Sequence, residues 1–314
     1  MAQRTSSSHY TQGHSSYTIA THQTRTAEVD AAFLLPHMTK SDHILDVGCG
    51  PGSITLGLAK CASEGRTVGV DISTDVLSKA EALAVGSHAP TEGPGSIIFE
   101  EGNIIQGLSY PDDSFDVIYC SQVLGHFPLP DLPVRALTEI RRVLKPGGIL
   151  ATRDGTDAHS YPRRFHLDRL WGDNQRRVLA KVGPGEDITG MVMPALFRRA
   201  GFDVDGGKVH VGAGTTVYSG PEMRKWLAWR ATGQLQKGDP FYQSWIDAGI
   251  TEDEVQTTLD AVKQWAETDD AWYASLQCEM LAWQSVIFVS ESGRSPLSLN
   301  VQDVRHQIRH SGRC

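Results

Sequence analysis

The sequence predicts a doubly wound α/β fold, a parallel sheet with helices on both faces. Three observations carry this reading. Ile44-Leu45-Asp46-Val47 is a short apolar run that breaks into Gly48-Cys49-Gly50-Pro51-Gly52 and resumes as an apolar helical pattern from Ser53. Strand, glycine turn and helix in that order make the unit with which open α/β sheets cradle nucleotide-like ligands. A second apolar run, Thr67 to Ile72, contains Asp71, 21 residues beyond Gly50, where such a site needs a carboxylate for ribose hydroxyls. Strand and helix patterns then alternate as far as Leu150, as parallel pairing requires.

Each element has its own signal. Ile97 to Phe99 is a third strand, followed by Glu101-Gly102-Asn103-Ile104, and Phe115 to Cys120 is a fourth. Leu144-Lys145-Pro146-Gly147-Gly148-Ile149-Leu150 gives a helix end, a turn and a fifth strand. Ser53 to Ala62 reads as the first core helix. Ser73 can cap the next helix, with Leu77, Ala80 and Leu83 toward the sheet, and Asp131 can cap a helix with Leu137, Ile140 and Leu144 on one face. The glycine spacing is G-x-G-x-G, not the G-x-G-x-x-G of dinucleotide binders, which makes a dinucleotide oxidoreductase a poor reading.

Over residues 38 to 155 these motifs, in this order and spacing, resemble the class I S-adenosylmethionine (SAM) methyltransferases. Tyr10-x-x-Gly13-His14 and His22-x-x-Arg25-Thr26-Ala27-Glu28 further resemble the small-molecule methyltransferases of the ubiquinone/menaquinone type found in microbial and fungal secondary metabolism. The resemblance implies a Rossmann-like, seven-stranded, mostly parallel sheet, an N-terminal helical lid and a C-terminal helical insertion. It implies SAM as cofactor. Gly48, Gly50 and Gly52 would cradle its methionine and ribose part, with Asp46 supporting the turn. Asp71 would bind the ribose hydroxyls, with Ile72 against the adenine. Asn103, where many relatives have Asp, would meet the adenine amino group, and Ile104 would pack on the ring. Ser121 would offer its backbone carbonyl to the cofactor ammonium. From the lid, Tyr17, His22 and Arg25 would lie near SAM. Arg25 either pairs with the methionine carboxylate or sits on an exposed helix face.

Composition narrows the partners. Net charge is −8 and no basic stripe offsets it, so a nucleic-acid substrate is not expected. The five cysteines are irregularly spaced and lack C-x-x-C, against a disulfide framework or zinc site. No apolar run reaches membrane-spanning length and the N-terminus lacks a signal-peptide pattern, so the expectation is a cytoplasmic protein acting on a small molecule.

Four regions are expected: a disordered segment and lid over 1–38, the SAM-binding core over 39–218, a helical substrate cap over 219–280, and a last strand and tail over 281–314. Residues 155 to 187 read as one or two helices beside the site mouth, Phe202 to Tyr218 as a sixth strand or a hairpin around Gly206-Gly207, and Met280 to Val289 as a seventh strand. Thr251-Glu252-Asp253-Glu254 spells a capping box. Six of the seven tryptophans fall between 226 and 283, either as the core of a helical subdomain or as walls of an aromatic pocket.

Two residues are candidates for catalysis. His126 follows the fourth strand, at the carboxyl edge where open α/β sheets place ligands, and is a general base, a wall residue or out of contact with the substrate. Asp154 follows the fifth strand, with Arg153, His159 and Tyr161 close by in sequence. No converging oxygen ligands accompany Asp154 and Asp157, so no metal is expected. Ser121-Gln122 replaces the Asn/Asp-Pro-Pro-aromatic turn of amide and nucleobase amino methyltransferases, and the Pro-Cys nucleophile of cytosine C5 enzymes is absent there. The function implied is methyl transfer from SAM to O, N, S or C of a small, apolar or aromatic metabolite. The alternatives are a SAM-binding cyclase or isomerase and a SAM-binding regulatory protein.

Overall fold

The computed structural model describes residues 15–182 and 187–285. Tyr10, Gly13, His14 and the tail from residue 286 onward, including the end of the expected last strand, lie outside the described residues.

The chain enters through two short helices, α1 (Ser16–Gln23) and α2 (Ala27–Asp30), and then alternates as the patterns require. β1 (His43–Val47) leads to α3 (Ser53–Cys61), β2 (Arg66–Asp71) to α4 (Thr74–Gly86), and β3 (Ser96–Glu101) to β4 (Phe115–Ser121). A 3-10 turn at Leu124–His126 precedes α5 (Asp131–Val143), which feeds β5 (Leu144–Tyr161). After a π-helical turn at Asp168–Asp173 come α6 (Asn174–Val182), α7 (Thr189–Arg199) and β6 (Val209–Ser219). The chain then runs through α8 (Gly220–Gln234), α9 (Pro240–Asp247) and α10 (Glu252–Ala266) to β7 (Trp272–Trp283).

The seven strands form one sheet in the order β3-β2-β1-β4-β5-β7-β6. The pairs among β1 to β5 are parallel, and β7 runs antiparallel to both β5 and β6. The expected α/β fold with a mostly parallel, seven-stranded sheet is therefore present. Apolar residues cover both faces of the central strands. Leu137, Ile140, Leu196 and Phe197 of α5 and α7 pack on one side, and Ala27, Ile54 and Leu58 of α2 and α3 on the other.

Three boundaries differ from expectation. β5 does not stop near Leu150 but continues to Tyr161, pairing with β7 throughout and passing an irregularity between Gly155 and Asp157. The helical stretch ends at Ala266 and β7 begins at Trp272, because 272–281 pairs with β5 and β6 instead of extending the helices. The Gly206-Gly207 region is a turn in which Gly206 N–H donates to Asp203 Oδ1 at 2.8 Å, and β6 follows as a single strand. Leu83 of α4 is also largely exposed, not packed on the sheet.

The long β5, β6 and β7 thus carry the sheet beyond its helix-covered layer. α8 and α10 pack over this extension around Leu167, Ala231, Val262 and Trp265. The capping box forms as spelled, with Glu254 N–H donating to Thr251 Oγ1 at 3.2 Å and Thr251 N–H to Glu254 Oε2 at 2.8 Å. No helix among the described residues is long and apolar enough to cross a membrane.

Candidate active site

The glycine turn after β1 takes its shape from backbone angles that only glycine adopts freely. Gly48 has φ +68° and Gly50 φ +55°. A Cβ on Gly48 would stand 2.3 Å from Val123 Cγ2, so the turn closes tightly on its inner side. A Cβ on Gly50 would meet nothing within 4 Å. That open side is a cradle which a side chain would fill. Gly50 N–H donates to Asp71 Oδ2 at 3.0 Å, and Ser73 N–H donates to Asp71 Oδ1 at 3.0 Å. Two backbone donors therefore aim the carboxylate, and each oxygen keeps a further lone pair for a ligand hydroxyl.

Beneath the turn, Asp46 is 3 % exposed and accepts from Thr55 Oγ1 at 2.6 Å, tying the end of β1 to the start of α3. Burial pushes its pKa up to about 7; the Thr55 bond opposes this and the negative Asp71 adds to it. Ile72 is 40 % exposed beside Asp71, whereas Ile104 is buried in the core cluster. Asn103 Oδ1 accepts from Ile105 N–H at 2.9 Å, which engages its oxygen locally and leaves the amide nitrogen uncommitted. Ser121 ends β4, 9 % exposed.

A separate cavity of about 510 Å³ opens past the carboxyl end of β4 and along the second half of β5. His22 and Arg25 reach it from the N-terminal segment, Gln122 and His126 from the turn after β4, Asp154 from β5, and Trp265 from α10. Ser53 Oγ donates to the His22 carbonyl at 3.1 Å, so the segment that borders the cavity is also fastened beside the glycine turn. Tyr17 is not part of either group. Its ring lies 5.0 Å from that of Trp229, against Gly233 of α8.

Asp154 is 1 % exposed. Its Oδ1 accepts from Gly125 N–H at 3.1 Å, and its Oδ2 has no hydrogen-bond partner among the described residues. Burial pushes its pKa up to about 7, against the Gly125 bond and the positive charges of Arg25 and Arg153. A carboxyl poised near neutrality at a cavity floor can take or give a proton. His126 closes the 3-10 turn, half-buried at the cavity edge. Arg153 is engaged elsewhere: it pairs with Asp30 at 3.0 Å and Glu279 at 3.1 Å and donates to Thr216 at 3.1 Å. Asp157 is exposed and also lines the cavity, 3.6 Å from Arg176, which lines it too.

Asp30 and Gln277, which line this cavity, carry no local sequence signal, and Gln122, which also lines it, entered the sequence reading only as part of the Ser121-Gln122 turn. Only the position of Gln122 one residue past a strand end could have marked it. Among the tryptophans, Trp171 and Trp265 line the cavity, Trp265 from within the buried cluster under α8 and α10, while Trp245 and Trp283 are core residues away from it.

The sheet order, the glycine turn and the aimed carboxylate define a class I SAM-dependent methyltransferase, and the chain belongs to that family. Residues 38–183 match the family model described as a methyltransferase domain. The chain is 61 % identical over 285 residues to the protein named "Probable methyltransferase ltbC" of Aspergillus luteorubrus, covering 90 % of this chain and 100 % of that one. It is 35 % identical to an uncharacterized methyltransferase of Schizosaccharomyces pombe, over 73 % of this chain and 80 % of the relative. A demethylmenaquinone methyltransferase of Symbiobacterium thermophilum is 35 % identical over 43 % of this chain and 51 % of its own length. The protein is an enzyme that uses SAM.

Proposed function

We propose that the chain methylates a small, apolar or aromatic metabolite bound in the cavity beside Asp154 and His126. The observation that carries this reading is the cavity itself. Its volume of about 510 Å³ suits a small molecule, and it joins aromatic walls at Trp171 and Trp265 to polar groups at one end. α1 packs against α8 over this region, with Gln234 Nε2 donating to Thr18 Oγ1 at 3.0 Å, a closure that suits a small substrate better than a polymer.

The cofactor supplies a methyl group on a sulfonium. Gly50 leaves room for its methionine and ribose part, Gly48 and Gly52 let the turn close on Val123, Ala80 and Phe99, Asp71 receives the ribose hydroxyls, and Ile72 offers an apolar face to the adenine. Asn103 meets the adenine edge, and the Ser121 carbonyl and Arg25 take the ammonium and carboxylate ends. Asp46 acts through Thr55 on the shape of the turn. Trp171 and Trp265 exclude water and hold the substrate ring, so that proximity and orientation supply much of the acceleration. Tyr17 keeps the N-terminal helix seated on α8.

The test is a screen of small ring-containing metabolites for release of S-adenosylhomocysteine. Stoichiometric release with a methylated product is expected. Product formation without it would favour the cyclase reading, and no turnover or binding with any ring compound would remove the cavity assignment.

A further inference from the structure

The cavity floor runs along β7 from Gln277 to Tyr273, four residues and so roughly 13 Å. Residues directly opposed on neighbouring strands put their side chains on one face. Ser275 is opposed by Thr216 of β6, and Tyr273 by Tyr218 of β6 and Ser160 of β5, and all of them line the cavity. Gln277 marks the end nearer the glycine turn. Its side chain meets that of Gln122, just past β4, and Val123 beside it packs on Gly48. Tyr273 marks the far end.

α8 covers that end, where Leu227, Ala231, Trp265 and Tyr273 form one cluster. Met223, Leu227, Arg230 and Ala231 line the cavity from one face of the helix, as their spacing of four, three and one residues requires. Three are apolar, and Arg230 brings in a guanidinium. Burial pushes the Tyr273 phenol up to about 12, against the positive charge of Arg230, which lies close enough to act on it. The phenol therefore keeps its proton at neutral pH and can donate it. Trp265 closes the chamber, 1 % exposed, with its indole N–H donating to the Tyr161 carbonyl at 2.9 Å.

We propose that Arg230 and Tyr273 form a subsite for a carboxylate, carried by the substrate at the end opposite the methylated atom. The inference rests on the cavity being the substrate site. A guanidinium presents five N–H donors in one plane, so two can hold a carboxylate beside other partners, and the phenol O–H adds a third bond. Met223, Leu227 and Trp265 put apolar surface around the pair, where opposite charges attract more strongly than in water. Of the other arginines at the cavity, Arg153 and Arg176 pair with acids of the chain, and Arg25 serves the cofactor carboxylate in the proposed arrangement. The length of the floor suits an acid built on two rings, which span most of it.

Calorimetry at neutral pH with saturating S-adenosylhomocysteine tests the inference, since the bound product keeps Arg25 occupied. The paired probes are biphenyl-4-carboxylate against biphenyl-4-carboxamide and 2-naphthoate against 2-naphthamide, alike in shape and different in charge. The wild-type chain should bind each carboxylate roughly tenfold or more tighter than its amide, the scale of a charge-assisted pair. Arg230→Gln should abolish the preference while amide binding stays within about threefold. Tyr273→Phe keeps the ring and loses only the hydroxyl, so it tests the subsite in a folded chain even if Arg230→Gln unfolds. It should lower the preference about threefold or more, the scale of one hydrogen bond. Equal binding of acid and amide by the wild type, the result if Asp157 or Asp168 already neutralises Arg230, overturns the inference and leaves the cavity assignment standing. A preference unchanged in Arg230→Gln or in Tyr273→Phe does the same. Failure of every probe to bind overturns both.

Discussion

Arg153 and Asp30 form an ion pair of 3.0 Å with side chains only 2 % and 5 % exposed, and it fastens the N-terminal segment to the sheet. Asp30 ends α2, its Oδ2 accepts from Thr26 N–H at 3.0 Å, and its carbonyl accepts from Tyr119 Oη at 2.8 Å. Arg153 reaches in turn to Glu279 on β7 and Thr216 on β6. One guanidinium therefore joins the segment bearing His22 and Arg25 to three strands below the cavity. Its role is to hold the cavity wall in place.

Removing one partner of a buried pair leaves the other charge uncompensated, which typically costs about 3–5 kcal/mol. Arg153 keeps Glu279, so Asp30→Ala should cost about 3 kcal/mol, the lower end of that range. Urea unfolding measures it. A loss below about 1 kcal/mol, the size of an exposed pair, would show that the pair does not fasten the segment.

Asp46 and Asp154 both have pKa values raised by burial to about 7. A carboxyl whose folded pKa lies above its unfolded value, near ~4, stabilises the fold fully below that value. That contribution is lost as pH rises to about 7. Asp154→Asn removes one of these titrations while the carboxylates with lowered pKa act equally on both proteins. The melting temperature of the variant relative to wild type should therefore rise between pH 4 and pH 8, most steeply below about 7. Parallel melting profiles would mean that Asp154 is not buried as its surroundings imply.

The two ends of the glycine turn should respond differently to a methyl group. Gly48→Ala would drive Cβ to 2.3 Å from Val123 Cγ2 and should destabilise the fold. Gly50→Ala meets open space, so its cost in stability is the left-handed strain of about 1–2 kcal/mol, while the methyl fills the cradle. SAM affinity should then fall at least tenfold in a folded Gly50→Ala protein. Thermal melting and calorimetry separate the effects, and unchanged affinity would place the cofactor elsewhere.

What the sequence showed depended on how local the cause was. Gly48, Gly50 and Asp71 were legible because a strand end, a turn and a second strand end fix their positions, with Asp71 only 21 residues beyond Gly50. β1 to β4 were legible from apolar runs bounded by turn residues. The extension of β5 to Tyr161 was not, because residues 155–161 contain Asp157, His159 and Ser160 and become a strand only by pairing with β7. The Asp30–Arg153 pair spans 123 residues, and the Gln122–Gln277 bond spans 155, so no local pattern encodes either. Asp154 was found from its place after a strand, but its lone unpaired oxygen appears only when Gly125 folds onto the other.

We propose that one end of the site holds the cofactor and the other holds the methylated substrate. SAM affinity measured by calorimetry on Asp71→Ala and Asp154→Asn tests it directly. Asp71 carries charge-assisted bonds of about 1.5–3 kcal/mol, so Asp71→Ala should weaken SAM binding tenfold or more. Asp154→Asn should leave SAM affinity within about twofold while turnover on a substrate found in the screen falls about 10²-fold or more, the scale of a lost proton acceptor. Unchanged SAM affinity in Asp71→Ala, or an equal loss in both variants, would contradict the division of the site.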